Sequence, residues 1–282
     1  VRWTAIRRAA RGTGLAAVTA VTLLGAAGPA GGSNANAILK KAVESTLAAH
    51  SARVAYVLAL SAPGQGSRAV MALQGVEQFS TPVEAAFTVS VPTVAGEPPR
   101  RLKELLDGTT FYVEVLGTWY SVPLQQALAN VGLTGSASGT SNPADALALL
   151  YQEGDEVERV GRSAVDGTAT TQYRATVDLD RRSVGAPHGI EETPAGLKAL
   201  EKLSGRTSVA VDVWIDGSGV IRQERIAVPL SRDGLAEMGV KGAPRGIEET
   251  TTVDWSDFGS AVHVTPPASA RPLPATTGGL PT

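Results

Sequence analysis

Three histidines, His50, His188 and His263, are the only imidazoles in the 282 residues, and there is no cysteine. None of the three stands at metal-ligand spacing from another, so no metal site is expected. His-Glu-x-x-His, Cys-x-x-Cys, the Gly-x-x-x-x-Gly-Lys phosphate loop and Gly-x-Gly-x-x-Gly are all missing. So are the Gly-x-Ser-x-Gly nucleophile turn and Ser-x-x-Lys. A Ser/His/Asp triad can assemble from distant segments, because geometry defines it, yet no residue pattern here marks one. The expectation is a protein that is not an enzyme and needs no cofactor.

Several strings imitate functional motifs. Asp257-Phe258-Gly259 spells a kinase metal triplet without a catalytic or glycine-rich loop, and reads as the turn that ends a strand. Asp216-Gly217-Ser218-Gly219 lacks the further acidic ligands of a calcium loop and reads as a hairpin turn. Leu273-Pro274-Ala275-Thr276-Thr277 resembles a sortase signal, but no apolar segment and basic tail follow it. A nine-residue segment occurs twice, Gly185–Thr193 and Gly242–Thr250, differing only at His188 and Arg245. Its Glu191, Glu192, Glu248 and Glu249 suggest a cation site. Adjacent side chains of a strand point to opposite faces, however, so one repeated turn is the better reading.

The elements around these residues are strands. Val83, Ala85, Phe87, Val89 and Val91 alternate with Glu84, Thr88 and Ser90. Thr171, Tyr173, Ala175, Val177 and Leu179 alternate in the same way with Gln172, Arg174, Thr176 and Asp178. Such a period of two builds a sheet with one apolar and one wet face. Strands are predicted near 54–60, 68–79, 83–92, 100–106, 109–116, 119–122, 155–162, 168–179, 209–215, 220–228 and 248–257, with a short one at 262–264. Helical spacing is predicted for 34–50, for 123–131 opened by Pro123, for 144–153, and after Thr193-Pro194 through Leu197, Leu200 and Leu203. Trp119, Trp214 and Trp255 could stack on a ligand, but core positions are expected for at least two of them.

Aromatics are only 5% of the chain, so any core is built mainly of Val, Leu, Ala and Ile. A formal charge of −2 with scattered Lys and Arg argues against nucleic acid as a partner. Arg2, Arg7, Arg8 and Arg11 precede an uncharged run, Gly14–Gly28, that is shorter than the roughly 20 residues of a membrane span. That arrangement reads as an export signal over residues 1–37, with cleavage at Ala35-Asn36-Ala37 or at Ala30. The absence of cysteine removes disulfides, so stability must come from core size. Leu23-Leu24-Gly25-Ala26 has the form of a lipoprotein signal with alanine in the place of the acylated cysteine. The expected layout is a signal peptide at 1–37, one domain at 38–267 and a disordered Pro-rich tail at 268–282.

Longer segments carry a resemblance. They are Asp107–Val113 (DGTTFYV) leading to Trp119-Tyr120, Val160–Tyr173 (VGRSAVDGTATTQY), Val211–Gly217 (VDVWIDG) with Val220-Ile221-Arg222, and Asp257-Phe258-Gly259 before Pro266-Pro267. Together with the element order, these resemble the LppX/LprAFG actinobacterial lipoproteins, relatives of the LolA/LolB lipoprotein carriers. The resemblance implies a mainly β (α+β) fold, a curved antiparallel half-barrel closed by helices over a hydrophobic cavity. It also implies a carrier of lipids, glycolipids or acylated proteins that makes transient contact with membranes. A monomer is expected, exported and not tethered through a lipidated cysteine.

The expected cavity residues are Tyr56, Leu58, Phe87, Val89, Phe111, Val113, Tyr173, Val177, Val211 and Val213. Leu124, Leu128, Leu147 and Leu150 are expected on helices forming a lid, hinged at the glycine-rich stretch 132–141. Two other functions fit the same reading: an envelope sensor similar to the anti-sigma-factor regulators, and an exported hydrolase.

Overall fold

A computed structural model describes residues 32–79, 82–92, 98–124, 147, 150, 156–179, 200–237 and 245–273. It begins with helix α1 (Gly32–Leu47), which turns Ala35, Leu39, Ala42 and Val43 to one side and buries them. Six strands follow as a meander: β1 (Ser51–Ala62), β2 (Gly66–Gln78), β3 (Glu84–Val91), β4 (Arg100–Asp107), β5 (Thr110–Val115) and β6 (Thr118–Pro123). A second meander comprises β7 (Glu156–Val165), β8 (Thr168–Asp178), β9 (Ser208–Asp216), β10 (Ile221–Pro229) and β11 (Glu248–Ser256). A short helix, α2 (Arg232–Glu237), intervenes between β10 and β11, and β12 (Arg271–Pro272) closes the described chain.

The two meanders join where the first strand meets the last long one, β1 against β11. The result is a single sheet in the order β12-β6-β5-β4-β3-β2-β1-β11-β10-β9-β8-β7. All pairs are antiparallel except β12 with β6, and the terminal strands β7 and β12 do not pair, so the curved sheet stays open. An open half-barrel of mainly β structure is the expected fold.

Alternation sets the two faces. Val54, Tyr56, Val253, Val213, Val211, Ala175 and Val177 share the apolar face and belong to one core with α1, which packs on β7 and β10. The opposite face carries ion pairs. Arg174 and Arg225 both grip Asp212, with Arg174 Nε 2.8 Å from Oδ1, and Lys103 lies 3.0 Å from Glu114.

Three irregularities bend the sheet. Leu58 pairs Met71 while Ala59 pairs Ala69, which leaves Val70 as an extra residue, and similar shifts fall at Val160 and Arg222. Bulges of this kind increase local twist. Gly75 contributes differently. A Cβ built there would lie 1.9 Å from the Ala86 carbonyl oxygen and 2.6 Å from Phe87 Cδ1, so β3 approaches β2 more closely than any side chain permits. The β7–β8 hairpin turns on Asp166-Gly167, both at positive φ (47° and 79°), the geometry of a tight turn that matches strand twist.

Some expectations fail for identifiable reasons. Pro123 ends β6 and the helical residue that follows it is Leu124, one position later than expected, while 125–131 lie outside the described residues. Residues 262–264 form no strand. The tail expected from position 268 instead runs along the β6 edge through 273, where Arg271 and Pro272 pair with Tyr120 and Ser121 and the Leu273 N–H donates to the Ser121 carbonyl at 2.9 Å. Proline is tolerated at such an edge. Of the three tryptophans, only Trp255 is core. Trp119 and Trp214 fall on the alternate, wet face and are half-buried. Within the repeat, Glu248 is exposed and Glu249 is buried, on opposite faces as alternation requires.

Candidate functional site

The apolar face divides into two unequal halves. Across β8–β11 it is filled: Val177, Val211 and Val213 are 0% exposed, Ile226 and Val253 1%. Leu147, Leu150 and Leu200 add fully enclosed side chains to the same cluster. Across β1–β5 the covering is uneven: Val54, Tyr56, Leu73, Val89 and Val113 are buried, while other inward side chains stay part-exposed. Leu58, Met71, Phe87 and Leu102 touch the core but keep part of their surface, and Leu106 and Phe111 are likewise only part-buried. These six come from five adjacent strands and point the same way, since Leu58 pairs Met71, Phe87 pairs Glu104, and Leu106 pairs both Ala85 and Phe111.

The expected cavity residues distribute accordingly. Tyr56, Val89, Tyr173, Val177, Val211 and Val213 sit in the packed cluster, and Val113 is also buried. Leu58, Phe87 and Phe111 lie in the thinly covered half. Leu124 is half-buried and lines a pocket of about 510 Å³ at the β5–β6 edge with Thr110, Ser121, Val122 and Pro272. That volume is within the roughly 300–1,000 Å³ of small-molecule sites. Leu128 and the hinge 132–141 lie outside the described residues.

Carboxyl groups on the apolar face are not expected, and four occur among the described residues. Glu77 (β2), Glu104 (β4), Glu224 (β10) and Glu249 (β11) occupy inward positions, opposite Ala52, Phe87, Val253 and Leu60 respectively. Glu224 is 0% exposed and neither carboxyl oxygen has a hydrogen-bond partner. Burial among Val213, Val253 and Ile226 pushes its acid up to about 8, so it is mainly protonated at neutral pH. Glu104, half-buried between Phe87 and Val113, is pushed up to about 7 by the same desolvation. Trp255 adds a buried indole N–H with no partner, one inward position along β11 from Val253.

The arrangement offers apolar surface with carboxyl groups set into it. It assembles no nucleophile–base pair among the described residues. Among the described residues no group of three or more His, Asp or Glu is placed to hold a metal ion. No described helix is long and apolar enough to cross a membrane.

No protein-family model matches the chain. An uncharacterised 31.2 kDa protein of Streptomyces griseus is 27% identical over 130 residues, which is 46% of this chain and 38% of that protein. The chain thus matches about two-fifths of that relative's length. Among solved structures, LprF from Mycobacterium bovis aligns over 84% of this chain and 98% of its own, at 17% identity and a TM-score of 0.49. The Mycobacterium tuberculosis lipoprotein LppX aligns over 83% and 100%, at 14% identity and a TM-score of 0.49. These are likenesses to the proteins that the sequence motifs resemble.

Proposed function

We propose that this protein is a non-catalytic binder and carrier of lipids or acylated molecules outside the cytoplasm. The observation that supports it is the thinly covered half of the apolar face, where Leu58, Met71, Phe87 and Leu102 from four adjacent strands keep accessible surface. Removing such surface from water favours binding by roughly 25 cal/mol per Å², or about 0.8 kcal/mol for each methylene of a ligand chain. An acyl chain laid across these strands would therefore be held without a specific polar contact. Export follows from the signal-like residues 1–37, and the alanine at position 26 leaves no cysteine for a lipid tether. The carrier works as a monomer that touches membranes transiently.

Titration of delipidated protein with a fluorescent neutral acyl probe tests this reading. Saturable uptake, displaced by unlabelled acyl esters, is the expected result. A failure to take up any acyl probe overturns it.

A further inference from the structure

We propose that Glu104 is the polar recognition point of the acyl-binding floor, and that the preferred ligand is an uncharged lipid with a free hydroxyl group beside its hydrocarbon. The inference rests on the carrier reading above and narrows its ligand class.

The placement is unusual for a carboxyl group. Along β4 the inward side chains are Leu102, Glu104 and Leu106, and across the sheet Glu104 faces Phe87 on one side and Val113 on the other. Its four nearest inward neighbours are thus apolar. Among the described residues no hydrogen bond or ion pair involves its side chain, although its neighbour Lys103 is paired with Glu114 on the other face. Among the described residues the strand cations at inward positions near this half, Arg68 and Arg100, stand towards strand ends and are exposed. Arg100 is four residues away, about 13 Å along the strand.

A carboxyl group set in apolar surroundings without a partner is destabilising, and such breaks in local consistency concentrate at functional positions. Glu104 lies in the half of the face that is incompletely covered, whereas Glu224 lies in the filled half.

The ligand class follows from charge. Among the described residues no inward Lys or Arg lies beside Glu104, so nothing there neutralises the charge of a fatty acid or phosphate. Pairing an ammonium with Glu104 would require desolvating a second charge, which offsets much of the attraction. A hydroxyl needs no such desolvation. It donates to the carboxylate and accepts from the carboxylic acid, so it suits a group titrating near neutrality.

The test uses the full chain, delipidated, with glycerol monooleate, methyl oleate, oleate and oleylamine as competitors of a neutral fluorescent acyl probe. The wild type should bind glycerol monooleate about tenfold more tightly than methyl oleate, the scale of one hydrogen bond to a carboxyl group. Oleate should bind more weakly than either. Glu104→Leu should equalise the two neutral lipids while still binding both. Glu104→Gln, whose amide both donates and accepts, should keep most of the preference and admit oleate better.

An unchanged ratio in Glu104→Leu overturns the inference and leaves the carrier reading standing. So does a wild-type preference for oleate or oleylamine. Failure of the wild type to bind any of the four lipids overturns the carrier reading itself, and this inference with it. Melting curves check that both variants are folded, and Glu104→Gln, the closer isostere, carries the test should Glu104→Leu fail to fold.

Discussion

Glu224 of β10 stands directly across from Val253 of β11, and both of its carboxyl oxygens are buried without a hydrogen-bond partner. Its folded-state acid constant, about 8, lies above the 4.5 of a free glutamate, so the folded chain holds a proton that the unfolded chain gives up. Stability from this residue is therefore complete below about pH 4.5 and lost progressively as pH rises through 8. The loss is on the order of a few kcal/mol. Urea unfolding at about pH 5 and about pH 9 should show a marked fall for the wild type. Glu224→Gln, neutral throughout, should flatten it, with Glu104 contributing a remainder of the same sign up to about 7.

Thr46 ties helix α1 to the sheet. Its hydroxyl donates to the Ala42 carbonyl at 2.7 Å and accepts the Ile221 N–H at 2.9 Å, all in a buried setting. Thr46→Val keeps the shape but strands that N–H, and should lower stability by about 1–3 kcal/mol. Thr46→Ser should recover most of the loss. Urea titration of the three proteins measures both effects.

Much of this architecture is legible in the sequence because a period of two is a strong signal. All eleven long strands fall within a few residues of their predicted bounds, and Val54, Tyr56, Val177 and Val211 face inward as alternation demands. Glu224 was hidden by the bulge at Arg222. Counting in twos from buried Ile221 places Gln223 and Arg225 inward, whereas the extra residue moves Glu224 there. Glu104 was masked by Leu105, which makes either parity of β4 look apolar. The bracketing pair Leu102 and Leu106 was the available clue. Periodicity also cannot separate a packed face from an accessible one, so Val213 and Phe87 read alike in the sequence.

Gly75 permits the close approach of β2 and β3 that places Phe87 over the floor. Gly75→Ala would drive a methyl into the Ala86 carbonyl oxygen, a backbone atom that cannot step aside without shifting the strand. A loss of about 1–3 kcal/mol is expected, together with weaker acyl binding as Phe87 is displaced. Denaturant titration and probe binding on the same preparation check the two halves of this statement.

Core and floor should separate under mutation. Val211, with no exposed surface, belongs to the filled half, while Phe87 belongs to the accessible one. Val211→Ala should cost about 1–3 kcal/mol of stability and leave acyl affinity within about twofold. Phe87→Ala should weaken the acyl probe by about tenfold or more, since a large apolar contact is lost. Equal effects of the two on binding would mean that the accessible half is not where the chain lies.

The central claim is that the thinly covered half of the sheet holds hydrocarbon. Native mass spectrometry tests it most directly, on protein purified from a cell envelope and again after delipidation and exposure to glycerol monooleate or methyl oleate. The account predicts a discrete adduct of one acyl lipid per chain in both samples, diminished by Phe87→Asp in a variant that still melts cooperatively. Bare protein mass in both samples, with a folded wild type, would contradict it.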